Sequence, residues 1–206
     1  MKTKSLYLIT GLCCMLGNSL RADDPATQFA VEAGPVVGKV DTSGGDADLL
    51  GFAAGLKWEL GEVLISKLSL RADYVHLESQ DSLPFQRDEL SVDARFGFSL
   101  VGFLNPYVSA GLSVAQHEAP AYTPEDDWKP GYGLGAGVGI TIVPKLLHIT
   151  PSVRYAEFES LRTMTYTLDT EVHFTVFGVG LRVDYEDNLS RSGDIVSGVL
   201  YAALRF

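Results

Sequence analysis

The sequence predicts an all-β fold: an antiparallel up-and-down transmembrane β-barrel of eight strands, with ten as the alternative, behind an amino-terminal signal peptide. Three observations predict it. Apolar residues alternate with small or charged ones in segment after segment, which is the period of a strand with one greasy face. The connections between these segments alternate between short and long. The last alternating segment runs to an aromatic end at Phe206.

The amino-terminus has the layout of an export signal. Lys2 and Lys4 open a basic region, Leu6 to Leu16 is a short apolar core, and Leu20-Arg21-Ala22 offers a cleavage site before Asp23. Residues 1–22 are therefore expected to be removed, leaving residues 23–206 as one barrel domain. A membrane anchor is the alternative, but the core is too short to cross a bilayer. Cys13 and Cys14 follow Thr10-Gly11-Leu12, which is not a lipidation box. Both cysteines of the chain lie in that segment, so a disulfide-stapled mature domain is excluded. Cleavage also removes Lys2, Lys4 and Arg21, leaving 13 basic residues against 26 acidic ones and moving the formal charge from −10 to −13. Nucleic acid is not a partner for such a chain. No later apolar stretch is long enough for a membrane helix, so only a closed barrel satisfies every backbone group in lipid.

The strands follow in order. Phe29 to Val37 is the first, and its Pro35 suits an edge or bulge. The second sets Leu50, Phe52, Ala54, Leu56, Trp58 and Leu60 against Gly51, Ala53, Gly55, Lys57 and Glu59. In the third, Leu68, Leu70, Ala72 and Tyr74 oppose Ser69, Arg71 and Asp73. In the fourth, Leu90, Val92, Ala94, Phe96 and Phe98 oppose Ser91, Asp93, Arg95, Gly97 and Ser99. Tyr107 to Ala115 and Tyr132 to Ile142 alternate aliphatics with Gly and Ser, and Gly133, Gly135, Gly137 and Gly139 share one face. Ile149 to Phe158 is the seventh, Val172 to Tyr185 the eighth and Ile195 to Phe206 the last.

Gly38 to Asp48, Glu78 to Asp88, Gln116 to Pro130 and Glu159 to Glu171 are expected as long polar loops, with shorter turns at Gly61 to Lys67, Val101 to Pro106 and Val143 to Leu147. A soluble barrel of lipocalin type, or a sandwich, shares the same period. Lipid is favoured because Gly and Ser recur on the polar face where a soluble exterior would show mixed charges, and because aromatics gather near strand ends at Trp58, Tyr74, Tyr107, Tyr132, Tyr155, Tyr185 and Phe206.

Asn105-Pro106-Tyr107-Val108-Ser109-Ala110-Gly111-Leu112, Gly133-Leu134-Gly135-Ala136-Gly137-Val138-Gly139-Ile140 and Leu204-Arg205-Phe206 carry a resemblance to the small OmpA/OmpX-type outer-membrane β-barrel family. The resemblance implies a fold and a location in the bacterial outer membrane. Its expected partners are outer-membrane lipid, lipopolysaccharide and the outer-membrane assembly machinery, which would read Leu204 and Phe206 as an assembly signal. Nine segments alternate, whereas single-chain bacterial barrels use an even number. Either eight of them span, which is the expectation, or Leu161 to Leu168 hides a tenth strand.

The inward face would carry Glu32, Lys57, Glu59, Arg71, Asp73, Asp93, Arg95, Arg154, Arg182, Asp184 and Arg205. Charges of both signs on neighbouring strands predict a lumen plugged by mutual pairing, with a polar pore as the alternative. No catalytic residue, cofactor or metal is assigned. His76, His117, His148 and His173 are scattered, and His117, Glu118, Asp126 and Asp127 match no zinc or calcium spacing. Acidic clusters at Asp41, Asp46 and Asp48, at Glu78, Asp81 and Asp88, and at Glu125, Asp126 and Asp127 suit a solvated rim, or a contact bridged by divalent cations. The expectation is a non-enzymatic structural or surface-contact barrel with a mostly closed lumen. A narrow channel, a lipid-modifying enzyme and a soluble periplasmic binder follow in that order.

Overall fold

A computed structural model of the chain describes residues 28–43, 45–63, 66–81, 85–100, 103–119, 123–144, 146–159, 161–190 and 193–206. The expected signal segment lies outside the described residues. Ten strands form one closed barrel: β1 (Gln28–Thr42), β2 (Gly45–Val63), β3 (Ser66–Ser79), β4 (Gln86–Phe98), β5 (Leu104–Ala119), β6 (Thr123–Val143), β7 (Leu147–Phe158), β8 (Arg162–Phe174), β9 (Phe177–Asn188) and β10 (Gly193–Arg205). Each strand pairs antiparallel with its sequence neighbours, and β10 closes on β1 from Ala30↔Arg205 to Thr42↔Gly193.

The count corrects the expected eight. Arg162–Phe174 is a full strand, paired along its length with β7 and β9, where a polar loop was expected. The segment expected as one strand from Val172 to Tyr185 is two, broken by a turn at residues 175–176. Thr163, Thr165 and Thr167 look like loop composition, yet threonine is a good strand former when its face lines a polar interior. Connections are short at both ends of the barrel. The polar stretches read as loops are strands that overhang the apolar band: β1 and β2 remain paired to Thr42↔Gly45, and β5 and β6 to Ala119↔Thr123. The backbone of Glu125, Asp126 and Asp127 therefore belongs to β6.

Side chains alternate as the pleat requires. Val36 is fully buried beside Val37, which is 60% exposed. Outward positions on every strand are large and apolar, among them Phe52, Leu68, Val92, Leu112, Leu134, Leu168, Leu181 and Leu200. Apart from Asp88, the buried residues lie inside, so the core of the molecule is the lumen. Toward the overhanging rim the apolar band ends in tyrosines whose hydroxyls donate to outward carboxylates. These are Tyr74 to Asp88 at 2.5 Å, Tyr132 and Tyr155 to Glu157 at 2.8 and 2.5 Å, and Tyr185 to Asp194 at 2.8 Å. Such a pairing suits a ring with its body in lipid and its tip in water. Tyr107, expected in this girdle, instead points inward.

Pro35 makes no bulge. It pairs with Phe52 on β2, while the ladder to β10 lapses between Ala33↔Ala202 and Val36↔Val199, because proline has no N–H to give.

Candidate functional site: a charged lumen

Inward positions from eight strands converge on an ion-pair network. Nearest the short-turn rim, Glu32 on β1 takes Lys57 of β2 and Arg71 of β3, the latter at 3.5 Å. Lys57 also reaches Glu171 on β8 at 3.7 Å, and Glu171 holds Arg205 at 3.0 Å and His173 at 3.1 Å. His148 stacks on His173 with ring centroids 4.5 Å apart.

Deeper in the lumen, Arg71 grips Asp73 through Nε at 2.6 Å and Nη2 at 2.9 Å. Arg182 on β9 reaches the same carboxylate at 3.4 Å and Asp184 at 3.2 Å. Asp184 accepts from Thr167 at 2.6 Å, and Asp169 accepts from the Tyr201 hydroxyl at 2.7 Å. Toward the overhang, Arg154 of β7 donates to Asp93 on β4 at 3.2 Å and to Ser113 on β5 at 2.8 Å. Arg87 pairs with Glu89 on its own strand and donates to Glu186 on β9 at 2.8 Å.

The span of these contacts closes the barrel. β4 and β9 lie half-way round the ten-strand ring from each other, so the Arg87–Glu186 bond crosses the full lumen. Arg182–Asp73 and Lys57–Glu171 each skip three intervening strands. On the remaining arc, Val36, Val40, Leu49, Leu77, Ile195 and Val199 pack as a buried apolar wall. A cavity of about 160 Å³ persists between them.

The inward glycines are berths for the network. A Cβ on Gly133 would sit 2.4 Å from the Arg154 guanidinium, and one on Gly180 would sit 2.1 Å from the Tyr201 ring. Both large side chains lie flat across a neighbouring strand only because nothing projects there.

Of the residues expected in the lumen, Glu32, Lys57, Arg71, Asp73, Asp93, Arg154, Arg182, Asp184 and Arg205 join this network. Glu59 faces the same side but is exposed near the end of β2, and Arg95 makes no ion pair among the described residues. Arg87, Glu89, Asp169, Glu171, Glu186, His173 and Tyr201 were not foreseen. Arg87 and Glu89 share the parity of Asp93, and Asp169, Glu171 and His173 share one parity along β8; those were the available signals.

Thr141 Oγ1 lies 3.2 Å from His148 Nδ1, but the carboxylate that would orient such a pair, Glu171, is held by Lys57, His173 and Arg205. Among the described residues no three His, Cys, Asp or Glu side chains converge as a metal site. His117 packs edge-on against Phe158, 6.1 Å away. At the seam, Phe206 and Phe29 exchange backbone hydrogen bonds of 2.9 and 3.2 Å, and Leu204 pairs with Val31 and Phe177.

No family model and no curated protein matches the chain. Solved structures do. An outer membrane channel from Pseudomonas putida F1 is similar with a TM-score of 0.54 at 8% identity, over 92% of this chain and 98% of that one. The translocator domain of the autotransporter NalP from Neisseria meningitidis gives 0.51 at 12% identity, over 98% and 96%. Ail, the attachment invasion locus protein of Yersinia pestis, gives 0.46 at 15% identity, over 88% and 99%. At these identities the first two show a shared fold and nothing finer: this chain is built as outer-membrane β-barrels are built.

Proposed function

We propose that this protein is an integral β-barrel of the bacterial outer membrane, with a non-enzymatic structural or surface-contact role and a lumen held shut by its own charges. The observation that carries the reading is inverted polarity. Arginines and carboxylates bury themselves inside, while leucine, valine and phenylalanine cover the outside, with Leu112 at 72% and Leu181 at 51% exposure. Water as the outer solvent would make that face an aggregation surface; lipid makes it the natural one.

Residues 1–22 act as the export signal, and the closing strand with Leu204 and Phe206 presents the chain to the assembly machinery. The overhanging strands stand in the lipopolysaccharide layer. Their outward acids, including Asp41, Asp46 and Asp48, meet its phosphates through divalent cations, since direct contact would set like charges together. Conduction of small ions is the second reading, supported by the residual cavity of about 160 Å³.

Fractionation of an expressing bacterium, with outer-membrane samples run on SDS gels boiled and unboiled, tests the proposal. It requires a signal-less band in the outer membrane that migrates differently when unboiled. A soluble periplasmic band without that shift would overturn it.

A further inference from the structure

We infer that the lumen binds a small oxyanion at Arg95, in the cavity lined by strands β3 to β10. This goes beyond the closed-barrel reading and holds whether or not the lumen conducts.

Arg95 stands apart from the other lumen arginines. Arg71, Arg87, Arg154 and Arg182 each meet at least one carboxylate within 4.0 Å. Arg95 meets none among the described residues; its guanidinium lies over the Tyr107 ring, 5.0 Å from the centroid, and its Nε is buried without a hydrogen-bond partner. The carboxylates whose charge reaches it are already committed: Asp93 serves Arg154, and Asp73 serves both Arg71 and Arg182. A ring face offsets only part of what a guanidinium loses on leaving water. The site therefore has a cation on a flat apolar floor with no carboxylate of its own within 4.0 Å, in a cavity where the six lining carboxylates face four other arginines.

The surroundings supply the rest of a receptor. Arg95 and Tyr107 line the cavity of about 160 Å³ together with the hydroxyl residues Ser109 and Ser152. That is well above the roughly 10–15 Å³ that holds one water molecule, and it has room for a phosphate- or carboxylate-sized group. Space for the Ser109 hydroxyl exists because position 135 is glycine, whose Cβ would lie 2.6 Å from Ser109 Oγ. A planar guanidinium fork flanked by hydroxyl donors is matched to an oxyanion with two parallel oxygens.

The test is a titration of inorganic phosphate into the refolded, detergent-solubilised barrel, free of lipopolysaccharide, followed by phosphorus NMR line-broadening at constant ionic strength. Saturable broadening is expected for the native protein, weakened about tenfold or more in Arg95→Gln and less in Arg95→Lys, which keeps a charge but loses the fork. Arg162→Gln, at an arginine on the outer face that pairs with Glu157, should leave the titration unchanged. No saturable response from the native protein would overturn the inference, whatever the variants do. Equal binding by the native protein and Arg95→Gln would overturn it too, as would a response only from lipopolysaccharide-bearing samples, which would assign the phosphate to lipid.

Discussion

Arg87 on β4 and Glu186 on β9 face each other from opposite sides of the barrel, and the arginine Nη1 donates to the glutamate Oε1 at 2.8 Å. Both residues are almost completely shielded from water. The bond is a strut across the lumen, and it makes strand pairing on one side depend on the other. Replacing Arg87 by Met leaves Glu186 without its cation, while Glu89 keeps only Arg154 at 3.7 Å. We predict a loss of about 3–5 kcal/mol, the usual cost of orphaning a buried charge. Urea unfolding in lipid vesicles measures it. Adding Glu186→Gln to Arg87→Met should recover part of the loss, because the double variant buries one fewer unpaired charge.

The outer face gives a prediction of opposite character. Leu181 lies midway between Phe177 and Tyr185 on β9 and is 51% exposed. In lipid, Leu181→Arg should destabilise the barrel by about 2–4 kcal/mol, as cations at the bilayer midplane do. On a barrel surrounded by water the same change would be close to neutral. Vesicle unfolding separates the two.

Glycines rank by what their missing Cβ would strike. At Gly34 it would lie 1.9 Å from the Leu200 carbonyl oxygen, on the seam where β1 meets β10. At Gly180 the three nearest atoms would all belong to the Tyr201 side chain. A ring can swing away and a backbone cannot, so Gly34→Ala should cost more than Gly180→Ala, which we place at about 1–3 kcal/mol. Loss of the heat-modifiable gel band in the first variant and its retention in the second would bear this out.

The alternation was legible from the residues because a sheet imposes period two on any strand with one apolar face. The β8–β9 boundary was harder to see. Outward residues carry even numbers up to Phe174 and odd numbers from Phe177, so the parity flips across residues 175–176. That flip was the only signal. The turn has no Gly, Pro or Asn, and Thr175 takes a positive φ of 25° instead. The polar ends of β5 and β6 were hidden for another reason: strand residues beyond a bilayer have no need to be apolar. The lumen charges were visible one by one, but their partners were not. Arg87 and Glu186 are 99 residues apart, and only barrel closure brings them together.

Phe206 is tied to Phe29 through backbone groups, and its ring is 67% exposed. Phe206→Ala keeps those hydrogen bonds. If the ring serves recognition by the assembly machinery, the variant should accumulate less in the outer membrane of cells yet unfold at the same urea concentration once refolded. Quantifying both from one preparation makes the comparison; equal accumulation would remove Phe206 from assembly.

The central claim is that the lumen is shut by bonds such as Arg87–Glu186. Planar-bilayer recording tests it most directly. The native barrel is predicted to insert without unit conductance steps, while the double variant Arg87→Ala, Arg154→Ala, stripped of two cross-lumen arginines, should show them. Stable, ohmic unit steps from the native protein would contradict the account.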